Sequence, residues 1–286
     1  MRSSAQKQKT ASKERTCQMK NVLLTIQYDG TNFSGWQRQP ERRTVQGEIE
    51  RVLSILCKQE ISVNGTSRTD AGVHAFDQHC SFAGDFGIPV DRIPVAANTL
   101  LLAGAYRPGS VSDVKIVEAR EVPMDFHARF NSQGKRYIYK IRNAKEPDMF
   151  LRNQCYQIDR PLDHEAMHRA GQAIVGEHDF KCFMSAGSQV GDDTVRTVYD
   201  LEVTRDGDWI TLSISGNGFL YNMVRIITGT LVEVGLGQRT EDSVAETIAS
   251  MDRANAGHTA PPQGLYLYKV FYDEKEMTLE PSEGAE

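Results

Sequence analysis

A chain of 286 residues, 40% hydrophobic and 25% charged, has the make-up of a globular domain protein, long enough for one large core or two modest ones. No apolar run approaches the roughly 20 residues of a membrane span, and the polar first 20 residues lack the apolar stretch of a secretory signal. The formal charge of −5 speaks against a nucleic-acid binder only until it is located, because the ends cancel. Residues 1–20 hold six basic side chains against one acidic, and residues 273–286 hold six acidic against one basic.

Taken in order, residues 1–19 and 274–286 lack apolar periodicity and are expected to be a disordered basic arm and a disordered acidic tail. Residues 21–28 read as a strand ending at Asp29-Gly30. Residues 44–58 read as a helix, with Val45, Ile49, Val52, Leu53 and Leu56 on one stripe and Thr44 as the N-cap. Residues 61–63 and 78–83 look like strand pieces flanking a polar loop, residues 93–102 like a helix and 111–118 like a strand. Alternation predicts a strand over 136–141, and residues 162–175 suit an amphipathic helix. Residues 195–204 and 209–215 predict a hairpin around Arg205-Asp206-Gly207-Asp208. Helices over 219–234 and 241–251 and a strand over 265–271 close the chain. Hairpins beside βα units predict an α+β fold on a mostly antiparallel sheet, in two α+β halves, 20–124 and 125–273.

Two features bear on chemistry before any comparison is made. Basic residues gather at Arg38, Arg42 and Arg43, and again at Arg129, Lys135, Arg136, Lys140 and Arg142. The second group is interleaved with Phe126, Phe130, Tyr137 and Tyr139, a mixture that suits RNA better than a merely solvated face. The segment Asn64-Gly65-Thr66-Ser67-Arg68-Thr69-Asp70-Ala71-Gly72-Val73-His74-Ala75 places an Arg-Thr-Asp core between glycines that permit tight turns or close approach of a ligand. A carboxylate on such a loop can reach into a cleft, although most loop aspartates merely cap a turn. The five cysteines, Cys17, Cys57, Cys80, Cys155 and Cys182, are scattered and never form C-x-x-C, as expected for reduced thiols in a cytoplasm.

The loop resembles the signature segment of the tRNA pseudouridine synthase A family, whose common form has Gly where this chain has Ser67. Four further blocks match in the same order. They are residues 33–40 with Thr44-Val45-Gln46, residues 126–130 with 136–139, Asn217-Gly218-Phe219 with Met223-Val224-Arg225, and Gly264-Leu265-Tyr266-Leu267. The resemblance spans about residues 21–272. It implies two α+β halves meeting along a central cleft, a homodimer, and isomerisation of uridines on the 3′ side of the tRNA anticodon stem-loop, at tRNA positions 38, 39 and 40. Carried over residue by residue, it implies Asp70 as the catalytic aspartate and nucleophile. It likewise implies Arg68 as the arginine that holds the target nucleotide out of the stack, Tyr137 as the ring that stacks on its base, and Arg225 as the partner of the carboxylate. An isomerisation calls for no redox cofactor, ATP or metal, so none is expected.

Arg225 supports this from its own position. Phe219, Met223, Ile226, Ile227, Thr230 and Leu231 share one face of the predicted helix, with Arg225 opposite. The helix is apolar on most sides, so a lone charge there needs a partner, and Asp70 is the expected one. A close arginine is also expected to lower the pKa of that carboxylate.

Two other readings compete with this one. His164-Glu165-Ala166-Met167-His168 is a literal H-E-x-x-H, the zinc-protease pattern. The wheel, however, buries Leu162, Ala166, Ala170, Ala173 and Ile174, turns both histidines to solvent, and puts Ile174 where a third ligand belongs. A non-catalytic RNA-binding module is the alternative of another class, and it would have no need of Asp70, Arg68 and Tyr137 together.

Overall fold

In a computed structural model of the chain, residues 19–102, 110–185 and 193–273 are described. The arm and tail expected for 1–19 and 274–286 lie outside the described residues, Met19 apart.

The first half begins with β1 (Lys20–Tyr28), then α1 (Val45–Cys57), the two-residue β2 (Asn64–Gly65), the long β3 (His74–Gly84), α2 (Ile93–Leu102) and β4 (Val114–Val122). The second half contributes β5 (Gly134–Asn143), β6 (Tyr156–Ile158), α3 (His164–Gly171), β7 (Gly176–Asp179), β8 (Val195–Asp206), β9 (Trp209–Gly216), α4 (Met223–Gly235), α5 (Ser243–Ser250) and β10 (Leu265–Phe271). All ten strands join one sheet in the order β4-β1-β3-β10-β5-β9-β8-β7, with β2 on β3 and β6 on β5. The architecture is the α+β, mostly antiparallel sheet that the sequence predicts. Among the described residues only the β10–β3 and β5–β6 pairs are parallel. The last strand thus sits at the centre, parallel to β3 of the first half and antiparallel to β5 of the second.

Most predicted elements form where expected, and the exceptions have physical causes. Ile61 and Val63 are buried but make no strand. Their amides donate to α1 side chains, Ile61 N to Ser54 Oγ at 3.0 Å and Val63 N to Glu50 Oε1 at 3.1 Å, so only Asn64 and Gly65 are left to pair with β3. The strand expected at 111–118 runs instead from Val114 to Val122, because β1 is its template and Tyr28 pairs with Val114. The helix expected from 219 starts at Met223, since Asn222 takes a left-handed φ of 61° that a continuing helix cannot contain. The helix at 162–175 is α3 followed by a 3₁₀ turn, with Leu162 before the Asp163 cap and Met167 both packed in the core. The hairpin between β8 and β9 closes through Gly207-Asp208, with Asp206 opposite Trp209.

Candidate active site

The Asp70 loop is held from beneath by side chains that neighbour it only in space. The fully buried Gln78 of β3 spans the backbone of Ser67, accepting its amide at 3.2 Å and donating to its carbonyl at 2.8 Å. Tyr28 Oη meets Thr69 Oγ1 at 2.7 Å, and Trp36 N donates to Thr69 O at 3.0 Å. Glycine is required at two close approaches around Trp36. At Gly35 (φ +88°) a Cβ would stand 2.7 Å from Thr69 O, and at Gly65 one would fall 2.4 Å from the Trp36 ring. The block around Trp36 is therefore the bed of the loop. Asp70 itself opens a turn, its carbonyl accepting Val73 N at 3.2 Å, with Gly72 at φ +79°.

From the opposite wall, α4 delivers Arg225. Its Nη1 donates to Asp70 Oδ2 at 3.1 Å and to Asn222 Oδ1 at 2.7 Å, while Nε donates to Ala260 O at 2.8 Å. Ala260 can lie there because Gly229 of α4 has no side chain. A Cβ at that position would stand 1.8 Å from His258 O, so the 257–260 segment lies directly on the helix. The two charged side chains are 15% and 21% exposed, sheltered but reachable from the cleft. The expected lowering of the Asp70 pKa is present only as a component. Burial is the larger effect and leaves the carboxyl above its ordinary value despite Arg225.

Asp70 and Arg225 share a cleft of about 880 Å³ with Thr66, Ser67, Arg68, Tyr137, Phe219 and Leu265 among its lining. Arg68 is exposed and, among the described residues, has no ion-pair partner. Tyr137, on β5, packs edge-on against Phe219 with ring centroids 5.3 Å apart. Burial pushes its hydroxyl up to about 12, so it stays protonated. The Ser67 hydroxyl is buried beside it without a hydrogen bond of good geometry among the described residues. The structure thus gathers the sequence-predicted residues Asp70, Arg68, Tyr137 and Arg225 around one cleft. Sequence reasoning missed Gln78 and Trp36 as supports, since a neutral amide in a strand and a buried ring carry no local mark of what they hold.

The chain as a whole is similar to known proteins. A family model described as tRNA pseudouridine synthase matches residues 24–131 and 170–273. The chain belongs to that family. It is 45% identical to a tRNA pseudouridine synthase A from Acetivibrio thermocellus over 254 residues, which cover 89% of this chain and 100% of the relative. To the proteins of that description from a Geobacillus species and from Lysinibacillus sphaericus it is 48% identical over 255 residues and 47% over 259, covering 89% of this chain in each case and 99% and 100% of the relatives. The family resemblance expected from five collinear blocks extends over nearly the whole described chain.

The remaining motifs have local roles. In α3, His164 and His168 are both half-buried rather than turned to solvent as expected, and His168 Nδ1 accepts the Val203 amide at 3.3 Å. Met167, absent from the expected stripe, is fully buried. Cys57, Cys80, Cys155 and Cys182 are free and buried, and burial pushes the Cys57 and Cys182 thiols up to about 11. No helix among the described residues is long and apolar enough to cross a membrane.

Proposed function

We propose that this cleft isomerises uridine to pseudouridine in tRNA, with Asp70 as the carboxylate that acts on the target nucleotide. The protein is an isomerase of the tRNA pseudouridine synthase type. The observation that carries the site assignment is the Arg225–Asp70 contact of 3.1 Å within the cleft.

Uridine and pseudouridine contain the same atoms. The N1–C1′ bond breaks, the uracil turns, C5 joins C1′, C5 gives up its proton and N1 gains one. An ionised carboxylate suits this chemistry as a nucleophile that holds the fragment while the base turns. Burial that raises the Asp70 pKa makes the ionised form more reactive, and Arg225 opposes that rise by favouring the ionised form. In this reading the base first leaves the RNA stack, at a cost of about a few kcal/mol. The exposed Arg68 fills the gap and Tyr137 stacks on the base, which offsets that cost. The two halves, 20–124 and 125–273, supply opposing walls of the cleft, Asp70 and Arg68 from one and Tyr137 and Arg225 from the other. Following the family resemblance, the targets are uridines on the 3′ side of the anticodon stem-loop, and the enzyme works as a cytoplasmic homodimer.

Tritium release from tRNA labelled at C5 of uridine tests the assignment. The parent protein is expected to release label catalytically, and Asp70→Asn to bind tRNA without release. Undiminished release by Asp70→Asn would remove Asp70 from the mechanism. The same variant carries a stability signature. A carboxyl whose folded pKa is raised contributes stability below its unfolded pKa and loses it as pH rises through the folded value. At neutral pH, Asp70→Asn should therefore melt no lower than the parent.

A further inference from the structure

The two basic clusters of the sequence separate into different roles. In the first, Arg38 and Arg43 are spent on structure, Arg38 on Glu50 at 3.1 Å and Arg43 held by both Asp113 oxygens at 2.6 and 2.8 Å, while Arg42 is exposed. Of the second, Arg136 lies over Phe271, Lys140 over Tyr266 and Phe76, and Arg142 donates to Glu146 O. Arg129 and Lys135 remain, and both line the cleft with Arg196.

Each is delivered by a different segment. Ala128 is pinned in the core, its amide donating to Ser81 Oγ at 3.1 Å and its carbonyl accepting Thr66 Oγ1 at 3.2 Å, which puts Arg129 beside the catalytic loop. Lys135 lies two residues before Tyr137 on β5, hence on the same face, and opposite Gly216 of β9, which offers no side chain. Arg196, the second residue of β8, lies against Gly218, with Asn217 tied to Thr197 by two 3.0 Å bonds. The charged groups facing Lys135 are Arg129 and Arg196, and the cleft adds Arg68, Arg225, Asp70 and Asp193. Both carboxylates are already engaged, Asp70 with Arg225 and the exposed Asp193 with Arg196 at 3.2 Å. Among the described residues no carboxylate pairs with Arg129 or Lys135.

We propose that Arg129, Lys135 and Arg196 form a phosphodiester-binding subsite that grips the RNA backbone next to the nucleotide presented to Asp70. This rests on the RNA reading of the cleft and adds to it a defined anion site. Arg129 and Arg196 both repel Lys135, and among the described residues only Arg196 has a carboxylate beside it, the exposed Asp193, so an anion placed among the three gains more than it would at an exposed arginine. A phosphodiester fits because it keeps a single negative charge and offers acceptor oxygens toward several segments at once. Burial first, and then the two arginines, lower Lys135 to about 8. A bound phosphate raises that value again. RNA affinity therefore falls as pH rises above about 8, between the free and the bound pKa, by up to about tenfold per unit.

The test measures tRNA binding by the full chain carrying Asp70→Asn, so that the substrate stays unconverted, across salt concentration and from about pH 7 to about pH 9. Adding Lys135→Met or Arg129→Gln should flatten the slope of log Kd against log salt by about 0.7–0.9 and weaken binding roughly tenfold at low salt. Lys135→Arg should keep the slope and abolish the loss of affinity above pH 8. Unchanged slopes in both charge-removing variants would overturn the subsite, as would a Lys135→Arg protein with the same pH-dependent loss as its parent. Failure of the isomerase reading shows separately, as absent tritium release by the otherwise unaltered enzyme with these binding slopes intact.

Discussion

Replacing Arg225 by Met removes the group on which both walls of the cleft converge. The loss comprises one charge-assisted bond to Asp70 at 3.1 Å and two bonds from the same cation to Asn222 and Ala260 at 2.7 and 2.8 Å. Breaking a fully buried ion pair costs about 3–5 kcal/mol. Here the partners keep 15% and 21% exposure, and Asp70 can take up a proton once its cation is gone, so about 2–4 kcal/mol is expected. For a protein of this size that corresponds to a fall in Tm of roughly 4–16 °C. The functional effect has a fixed sign. Burial raises the Asp70 pKa, and both contributions that lower it come from Arg225, so the variant's acid limb in kcat/KM must move to higher pH. Its rate deficit should be greatest on the acid side and shrink as pH rises. Arg225→Lys, which restores a charge without the fork, should return the limb most of the way. Tritium release followed from about pH 5 to about pH 9, with Tm taken at each pH, reads both effects. An acid limb that stays in place or moves downward would show that Arg225 does not govern the ionisation of Asp70.

Two predictions concern residues that never touch the substrate. Gln78→Leu leaves the Ser67 amide and carbonyl buried without partners, at about 1–3 kcal/mol each, so denaturant unfolding should show about 2–5 kcal/mol lost and kcat should fall with the loosened loop. A midpoint and kcat equal to the parent's would mean that the loop holds itself. Gly229→Ala should destabilise by about 1–3 kcal/mol even though alanine is the better helix former, because its Cβ would stand 1.8 Å from His258 O. As the 257–260 segment shifts, Ala260 O withdraws from Arg225, and the acid limb should move in the same direction as in Arg225→Met, by less.

What could be read in the sequence was whatever follows from period and from unusual isolation. The α1 stripe of Val45, Ile49, Val52 and Leu53 is buried as read, and Thr44 accepts Gly47 N at 3.2 Å as the expected cap. The pairing of Arg225 with Asp70 was legible because a charge on an otherwise apolar helix has few tolerable explanations. Ile61 and Val63 misled for the converse reason. Their pattern is that of a strand, but Ser54 and Glu50, seven and thirteen residues back, take their amides. The basic clusters were equally ambiguous, because a list of arginines does not reveal that Arg43 is neutralised by Asp113, seventy residues away, while Lys135 is not neutralised at all by the described carboxylates.

The supports of the site were illegible for a deeper reason, which also explains why so many segments without chemistry of their own accompany the Asp70 loop. Gly35, Gly65 and Gly229 act by lacking a side chain, each letting a particular backbone or ring come closer than a Cβ would permit. Gln78 and Asn217 act by bonding to main chain, Ser67 in one case and Thr197 in the other. Such roles depend on where the partner's backbone lies and hardly on the partner's identity, so nothing in the partner's sequence announces them. The geometry they fix is nevertheless specific. The loop bed of Trp36 and Gln78 sets the height of Asp70, and the 257–260 segment on Gly229 sets the reach of Arg225. The 3.1 Å contact between them is the difference of two positions fixed independently on opposite walls. A disturbance on either wall must therefore reach Asp70 through its ionisation, and on the proposed mechanism the pH profile of catalysis should register it before the melting temperature does.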